Sequence, residues 1–274
     1  MNNAGKYKNK EDFRFSITGN GEKILLLNGA FMGYNGWNPL RKELEKKYTV
    51  IGVDFPNQGA AELNPDYENL KDYALFIGDF LKAINLEPQE IVANGLSFGA
   101  NVLRILNTEM KVPFKSVILT GCTPPSLFSY MNLFQEHLLK LLECGGLDLM
   151  SHEMVLRLFS AGFLSKNPNL MNYIRDRFQE SFSHRPEAVK KLIRASLNNR
   201  QGQTAPSLPF VSPVYFISSL EDMMVPHVYA KEYAESIQCR GFYEIQAGHL
   251  PMAEALDENI RIIKDIMDKV SDNL

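Results

Sequence analysis

The feature that most limits what this chain can fold into is a rhythm. Short, wholly apolar runs alternate with longer stretches in which apolar residues recur every three or four positions. "KILLLNG" (Lys23–Gly29) and "SVILTG" (Ser116–Gly121) show no polar alternation. A strand with one wet face alternates apolar and polar residues, whereas a strand covered on both faces does not. Strands are expected at Phe13–Thr18, Lys23–Leu27, Tyr48–Asp54, Glu90–Asn94, Ser116–Thr120, Pro213–Ser218 and Phe242–Gln246. Between them, Asn69–Leu86 sets Leu70, Tyr73, Ala74, Phe76, Ile77, Phe80 and Leu81 on one helical face. Phe98–Glu109, Pro226–Ile237 and Glu254–Val270 repeat that spacing. Strand and helix in turn predict an α/β fold, a mostly parallel, doubly wound sheet with helices on both faces.

One region breaks the rhythm. From Pro124 to Ala205 the patterns are helical, with no convincing strand. Helices are expected at Leu127–Cys144, His152–Leu164, Leu170–Phe182 and Pro186–Leu197. Gly145-Gly146, Asn167-Pro168 and Ser183-His184-Arg185-Pro186 punctuate them. The Pro-rich "QGQTAPSLPFVSP" then returns the chain to the sheet. The expected organisation is a core of residues 1–123 and 206–274 with a helical cap, 124–205, inserted over one end of the sheet.

The chemistry centres on "ANGLSFGANV" (Ala93–Val102), a Gly-x-Ser-x-Gly pattern between an expected strand and an expected helix. Ser97 falls in the sharp strand-to-helix turn where a serine hydroxyl can stand exposed at the sheet edge. The flanking glycines leave room for a tight elbow, and the helix N-terminus offers N–H groups to developing negative charge. A Gly-rich turn with a capping serine is the plainer reading of the motif alone.

A serine hydroxyl needs a base. His137 and His152 lie in the helical insertion, His184 in a loop beside Arg185, and His227 at a helix start. His249, in "QAGHLPM", follows the last strand, and loops after parallel strands converge on one edge. An acid to orient the base is supplied by Glu221-Asp222, on the loop after "PVYFISS". Asp222 is favoured, with Glu221 the alternative. The loop "NGAF" (Asn28–Phe31) leaves an early strand, so the Ala30 and Phe98 N–H groups are the candidate oxyanion donors.

These elements occur in the order Asn28-Gly29-Ala30, Gly95-Leu96-Ser97-Phe98-Gly99, Asp222 before Val225-Pro226, and Gly248-His249-Leu250-Pro251. Together they resemble the α/β-hydrolase superfamily over nearly the whole chain, and the helical insertion matches its cap. "VIGVDFPNQGAAE" (Val50–Glu62) is similar to the family's Asp-x-x-Gly-x-Gly segment, with Asn57 in place of the first glycine. Asp54 in that segment is expected to be structural. Asn28-Gly29-Ala30 with Asp54-Phe55-Pro56 is also similar to bacterial 3-hydroxyacyl transferases of the rhamnolipid and polyhydroxyalkanoate precursor pathways. That resemblance implies acyl groups carried on acyl carrier protein or coenzyme A. The elbow departs from it, with Ser97-Phe98-Gly99-Ala100 where Ser-Trp-Gly-Gly is common.

The expected function is a serine hydrolase acting on a small-molecule acyl ester or thioester through Ser97, His249 and Asp222. The alternative is an acyltransferase passing the acyl group from an acyl carrier protein or coenzyme A thioester to an alcohol or thiol. A non-catalytic receptor of the same fold is the third reading. Phe31, Met131, Phe134 and Met154 are the candidates for an acyl pocket, against the plainer reading that the insertion's apolar stripe is its own core. Arg157, Arg175 and Arg185 are candidate contacts for an anionic carrier.

A net charge of −3 argues against a nucleic-acid surface. The three cysteines, Cys122, Cys144 and Cys239, form no metal or redox motif. No two histidines stand at ligand spacing and no Gly-x-Gly-x-x-Gly occurs, so neither metal nor other cofactor is expected. No apolar run reaches the roughly 20 residues of a membrane span. The polar N-terminus carries no apolar leader, and a cytoplasmic location is the expectation.

Overall fold

The structure, a computed structural model, describes residues 9–198 and 208–272. Its strands are β1 (Phe15–Thr18), β2 (Lys23–Leu27), β3 (Thr49–Val53), β4 (Ile91–Leu96), β5 (Ser116–Thr120), β6 (Val214–Ser219) and β7 (Gly241–Ile245). They form one sheet in the order β1-β3-β2-β4-β5-β6-β7. Only β1, paired with β3, runs antiparallel. Phe13, expected in the first strand, instead follows a short helical turn and packs against Phe76 and Phe80.

The apolar runs are explained by two cores. Leu25 and Leu27 of β2 face a core shared with α2 (Leu70–Ala83) and α3 (Phe98–Thr108). Their neighbours Ile24 and Leu26 face the opposite core, shared with α1 (Asn38–Leu44) and α10 (Leu256–Asp272). Successive side chains point to opposite faces, so a strand between two cores is apolar at every position. Each such burial contributes about 1.5–3 kcal/mol before entropy is counted. The sequence reading misses α1, because "GYNGWNPL" has the composition of a turn. Pro39 sits in the helix's first turn, where its missing N–H costs nothing.

The helical insertion comprises α4 (Phe128–Leu158), α5 (Ala161–Lys166), α6 (Leu170–Phe182) and α7 (Pro186–Asn198). The expected break at Gly145-Gly146 is present. Gly146 leaves helical geometry, at φ 67° and ψ −161°, and divides this run into two helices, the second starting at once rather than at His152. The helix then ends at Leu158, and Ser160 caps α5 by accepting from the Phe163 N–H at 3.2 Å. Residues 199–207, most of the expected connector back to the sheet, lie outside the described residues. After β6 come α8 (His227–Ser236), β7, α9 (Pro251–Glu254) and α10. Ala255 breaks the single helix expected from Glu254. Among the described residues no helix is long and apolar enough to cross a membrane.

The strand order places the site. The chain runs outward from β2 to β3, then returns to start β4 on the other side of β2. The loops after β2 and β4 therefore leave adjacent strands in opposite directions, and the crevice between such loops is where open α/β sheets bind ligands.

Candidate active site

β4 delivers Ser97 at the sheet edge. Its backbone adopts φ 52° and ψ −108°, a conformation L-residues rarely enter, and α3 begins at the next residue. Holding a non-glycine residue there costs about 1–3 kcal/mol. The Ser97 N–H donates to the Thr120 carbonyl at 2.7 Å, and the Gly99 N–H donates to the Asn28 carbonyl at 2.9 Å. The glycines have a steric cause. A Cβ on Gly99 would stand 2.3 Å from the Leu27 carbonyl oxygen, and one on Gly95 would stand 2.7 Å from the Ala100 backbone.

β2 and β4 are in register at Leu27 and Gly95, so the loop beginning at Asn28 emerges beside the elbow. Asn28 is fully buried and acts as its pivot. Its amide donates to the Val53 carbonyl at 3.0 Å and accepts from the Trp37 indole at 2.8 Å. Ala30 follows, and Phe98 is the first residue of α3, where an N–H has no intrahelical partner. Both residues line the cavity described below. Phe31 takes a left-handed φ of 66° and sets its ring edge-on to Phe178 and Phe182 of α6.

The loops after β6 and β7 bring Asp222 and His249 together. Asp222 Oδ2 lies 2.7 Å from His249 Nδ1. Its Oδ1 accepts from the Met224 and Val225 N–H groups at 2.7 and 2.9 Å. The carboxylate is thus fixed on both oxygens, and it selects the tautomer with the proton on Nδ1. Glu221 points elsewhere and accepts from the Gln246 amide. His249 Nε2 is buried and has no hydrogen-bond partner. Gly121, at the end of β5, makes room for the ring: a Cβ there would come within 2.6 Å of His249 Cε1.

Ser97 and His249 line one cavity of about 250 Å³, roofed by the insertion. Of the expected pocket residues, Phe31, Met131 and Met154 line it. Phe134 does not, and belongs to the insertion's own core with Leu138 and Leu142. Phe159, at the end of α4, reaches the wall.

Polar ties hold the insertion to the core, one of them from Lys191, which donates to the Pro65 carbonyl at 2.7 Å. Glu254 of α9 accepts from the Ser160 N–H at 2.9 Å, the Ser160 hydroxyl at 2.5 Å and the Gly248 N–H at 3.1 Å. Arg185 lies over the Phe182 ring and donates to the Ala61 carbonyl at 2.6 Å and to the Gly59 carbonyl. Asp54, beneath that loop, accepts from the Tyr34 and Ala60 N–H groups at 2.6 and 2.9 Å. Burial pushes its pKa above the usual carboxylate value, against those donors and the Arg185 charge. Asp54 is therefore a loop anchor, and Asn57 beside it has φ 69°, a conformation that asparagine tolerates better than most residues. Arg157 and Arg175 are occupied by Glu153 and Asp176.

A family model described as "Alpha/beta hydrolase family" matches residues 24–260. The chain belongs to the alpha/beta hydrolase family. An esterase from Thermogutta terrifontis is 23% identical, over 94% of this chain and 93% of its own, at a TM-score of 0.77. An enol-lactonase from Burkholderia xenovorans LB400 is 18% identical over 93% and 96%, at 0.76. A bromoperoxidase from Bacillus anthracis is 17% identical over 93% and 95%, at 0.75. No curated protein matches the chain in sequence.

In this alpha/beta hydrolase, sequence reasoning overlooked Gly121 and Glu254, which touch the His249 loop, and Gln135 of α4, which lines the cavity. Gln135 had a legible signal. It stands on the inward stripe Met131, Leu138, Leu142, where an apolar residue is the norm.

Proposed function

We propose that the chain is a serine hydrolase that cleaves an acyl ester or thioester. The observation that carries this is the Asp222–His249 pair, with Nε2 unpartnered, on the same cavity as Ser97 in its left-handed elbow. Ser97 Oγ attacks the acyl carbonyl while His249 Nε2 takes the hydroxyl proton, and Asp222 stabilises the imidazolium. The Ala30 and Phe98 N–H groups receive the oxyanion, each such donor contributing about 3 kcal/mol in the transition state. Collapse breaks the bond to the leaving alcohol or thiol, which His249 protonates, and leaves the acyl group on Ser97. His249 then deprotonates a water, whose attack releases the acid and restores the serine. Residues 124–205 serve as a cap over a core of 1–123 and 206–274, with Phe31, Met131 and Met154 against the acyl chain.

Fluorophosphonate labelling of the wild type and of Ser97→Ala tests this reading, paired with a screen of acyl esters and thioesters. Labelling confined to the wild type, with turnover of at least one ester, is the expected result. A folded wild type that neither labels nor turns over any ester overturns it. The same acyl-enzyme can be resolved by an alcohol or thiol, so free acid as the only product with acceptors present separates hydrolysis from transfer.

A further inference from the structure

The cavity wall is apolar except at a few side chains, and nearly all of these are already committed. Asn101 donates to the Ser97 carbonyl at 3.0 Å and to the Thr123 hydroxyl at 3.4 Å, and accepts from the Thr123 N–H at 3.2 Å, which commits both of these lining side chains. Ser151 and Ser196 donate to carbonyls of their own helices, Asp148 at 2.8 Å and Leu192 at 3.2 Å. Ser97 and His249 belong to the reacting group. The remaining one is Gln135. It lines the cavity from α4, one turn beyond Met131, and is 9% exposed. Among the described residues its amide makes no hydrogen bond.

The nitrogen and oxygen of that amide are open to the cavity rather than sealed against protein. An acyl group that fills the cavity buries them, and burying an amide is costly unless the bound group supplies a partner. A scaffold needing only a greasy wall would carry Leu or Met here, as it does at Met131 and Leu138. A primary amide offers two donors and one acceptor, so it fits a neutral hydroxyl or oxo group and carries no charge to hold a carboxylate. We infer that Gln135 is a specificity-determining residue, selecting acyl groups that bear a hydroxyl or oxo substituent along the chain. This rests on the serine-hydrolase reading above and adds which acyl groups the site prefers. A cavity of about 250 Å³ is larger than the roughly 150 Å³ engineered cavity that accepts benzene, so an acyl chain of several carbons fits.

The test compares 4-nitrophenyl octanoate with its hydroxy- and oxo-octanoate counterparts, the substituent walked along the chain. The wild type is expected to favour at least one substituted ester over the plain one by about fivefold in kcat/KM, the worth of one neutral hydrogen bond. Gln135→Leu and Gln135→Met are expected to erase that preference while keeping turnover of plain octanoate. A second readout separates selection from structure. An amide with no partner in the protein stabilises nothing, so the thermal midpoint of Gln135→Leu should equal or exceed that of the wild type. Equal rates for plain and every substituted ester, the same ratios in wild type and variants, or a lowered midpoint in both variants each overturn the inference. All three leave fluorophosphonate labelling of Ser97 intact. Failure of the underlying reading shows instead as loss of that labelling and of turnover of every ester.

Discussion

The strand ends and the helical insertion face each other across one cavity, and they are held in opposite ways. At the strand ends nearly every polar atom is tied down: both oxygens of Asp222, the amides of Asn28 and Asn101, the Gly99 N–H. The insertion is held by its own apolar packing and by a few polar ties, at Glu254, Arg185 and Lys191. It turns methionines, Met131 and Met154, toward the cavity. Hydrogen-bonded networks fix geometry to fractions of an ångström, whereas flexible thioether side chains adapt to what they enclose. On the proposed reading, the arrangement divides the labour between reaction at the sheet edge and selection beneath the helices.

The sharpest way to break that comparison is at the acid. Asp222→Asn keeps the shape but holds His249 in the wrong tautomer, and should lower kcat by about 10⁴-fold. Glu221→Gln, adjacent in sequence but with its carboxylate turned to the Gln246 amide, should leave kcat near that of the wild type. Steady-state kinetics on one accepted ester decides this. Equal losses in both variants would mean that the geometry at the strand ends does not govern the reaction.

The next effect is steric. Gly121 has φ 61°, and a Cβ there overlaps the His249 ring at 2.6 Å. Because Asp222 pins the other side of the ring, Gly121→Ala must displace the imidazole by a large fraction of an ångström. Such misplacement costs about 100-fold in kcat, with KM nearly unchanged. A circular-dichroism spectrum matching the wild type would show that the fold is not the cause.

The contrast between the two regions also explains what could be read from sequence. The sheet was legible because a strand buried on both faces leaves a continuous apolar run, as in "KILLLNG". Ser97, Asp222 and His249 were nameable as candidates because each follows a strand, and parallel strands send those loops to one edge. The insertion was less legible. Helical spacing says which face is inward but not whether it meets helix or cavity, so Phe134 and Met131 looked alike. Gly145-Gly146 reads as a stop, and the helix does break at Gly146, but nothing in the sequence says that the next helix starts at once rather than at His152. Gly121 and Glu254 act across long sequence separations, and nothing local marks them. Gln135 was marked, as a polar residue on an apolar stripe, but its lack of a partner is visible only once the packing is known.

The smallest effect lies at the seam between the regions. Glu254 holds the corner of the insertion at Ser160 with one oxygen pair and the residue before His249 with the same carboxylate. If reaction and selection were wholly separate, Glu254→Ala would raise KM and leave kcat alone. Because Gly248 is the neighbour of His249, both should move, with kcat falling about tenfold, some 1.4 kcal/mol in the barrier. Hydrogen bonds to a charged group contribute about 1.5–3 kcal/mol each when buried, and Glu254 is only partly so, which places the loss of global stability near 2 kcal/mol. Glu254→Gln keeps the acceptor for the two N–H groups and should recover most of kcat. A KM change without a kcat change in Glu254→Ala would show that the seam transmits nothing to the histidine loop.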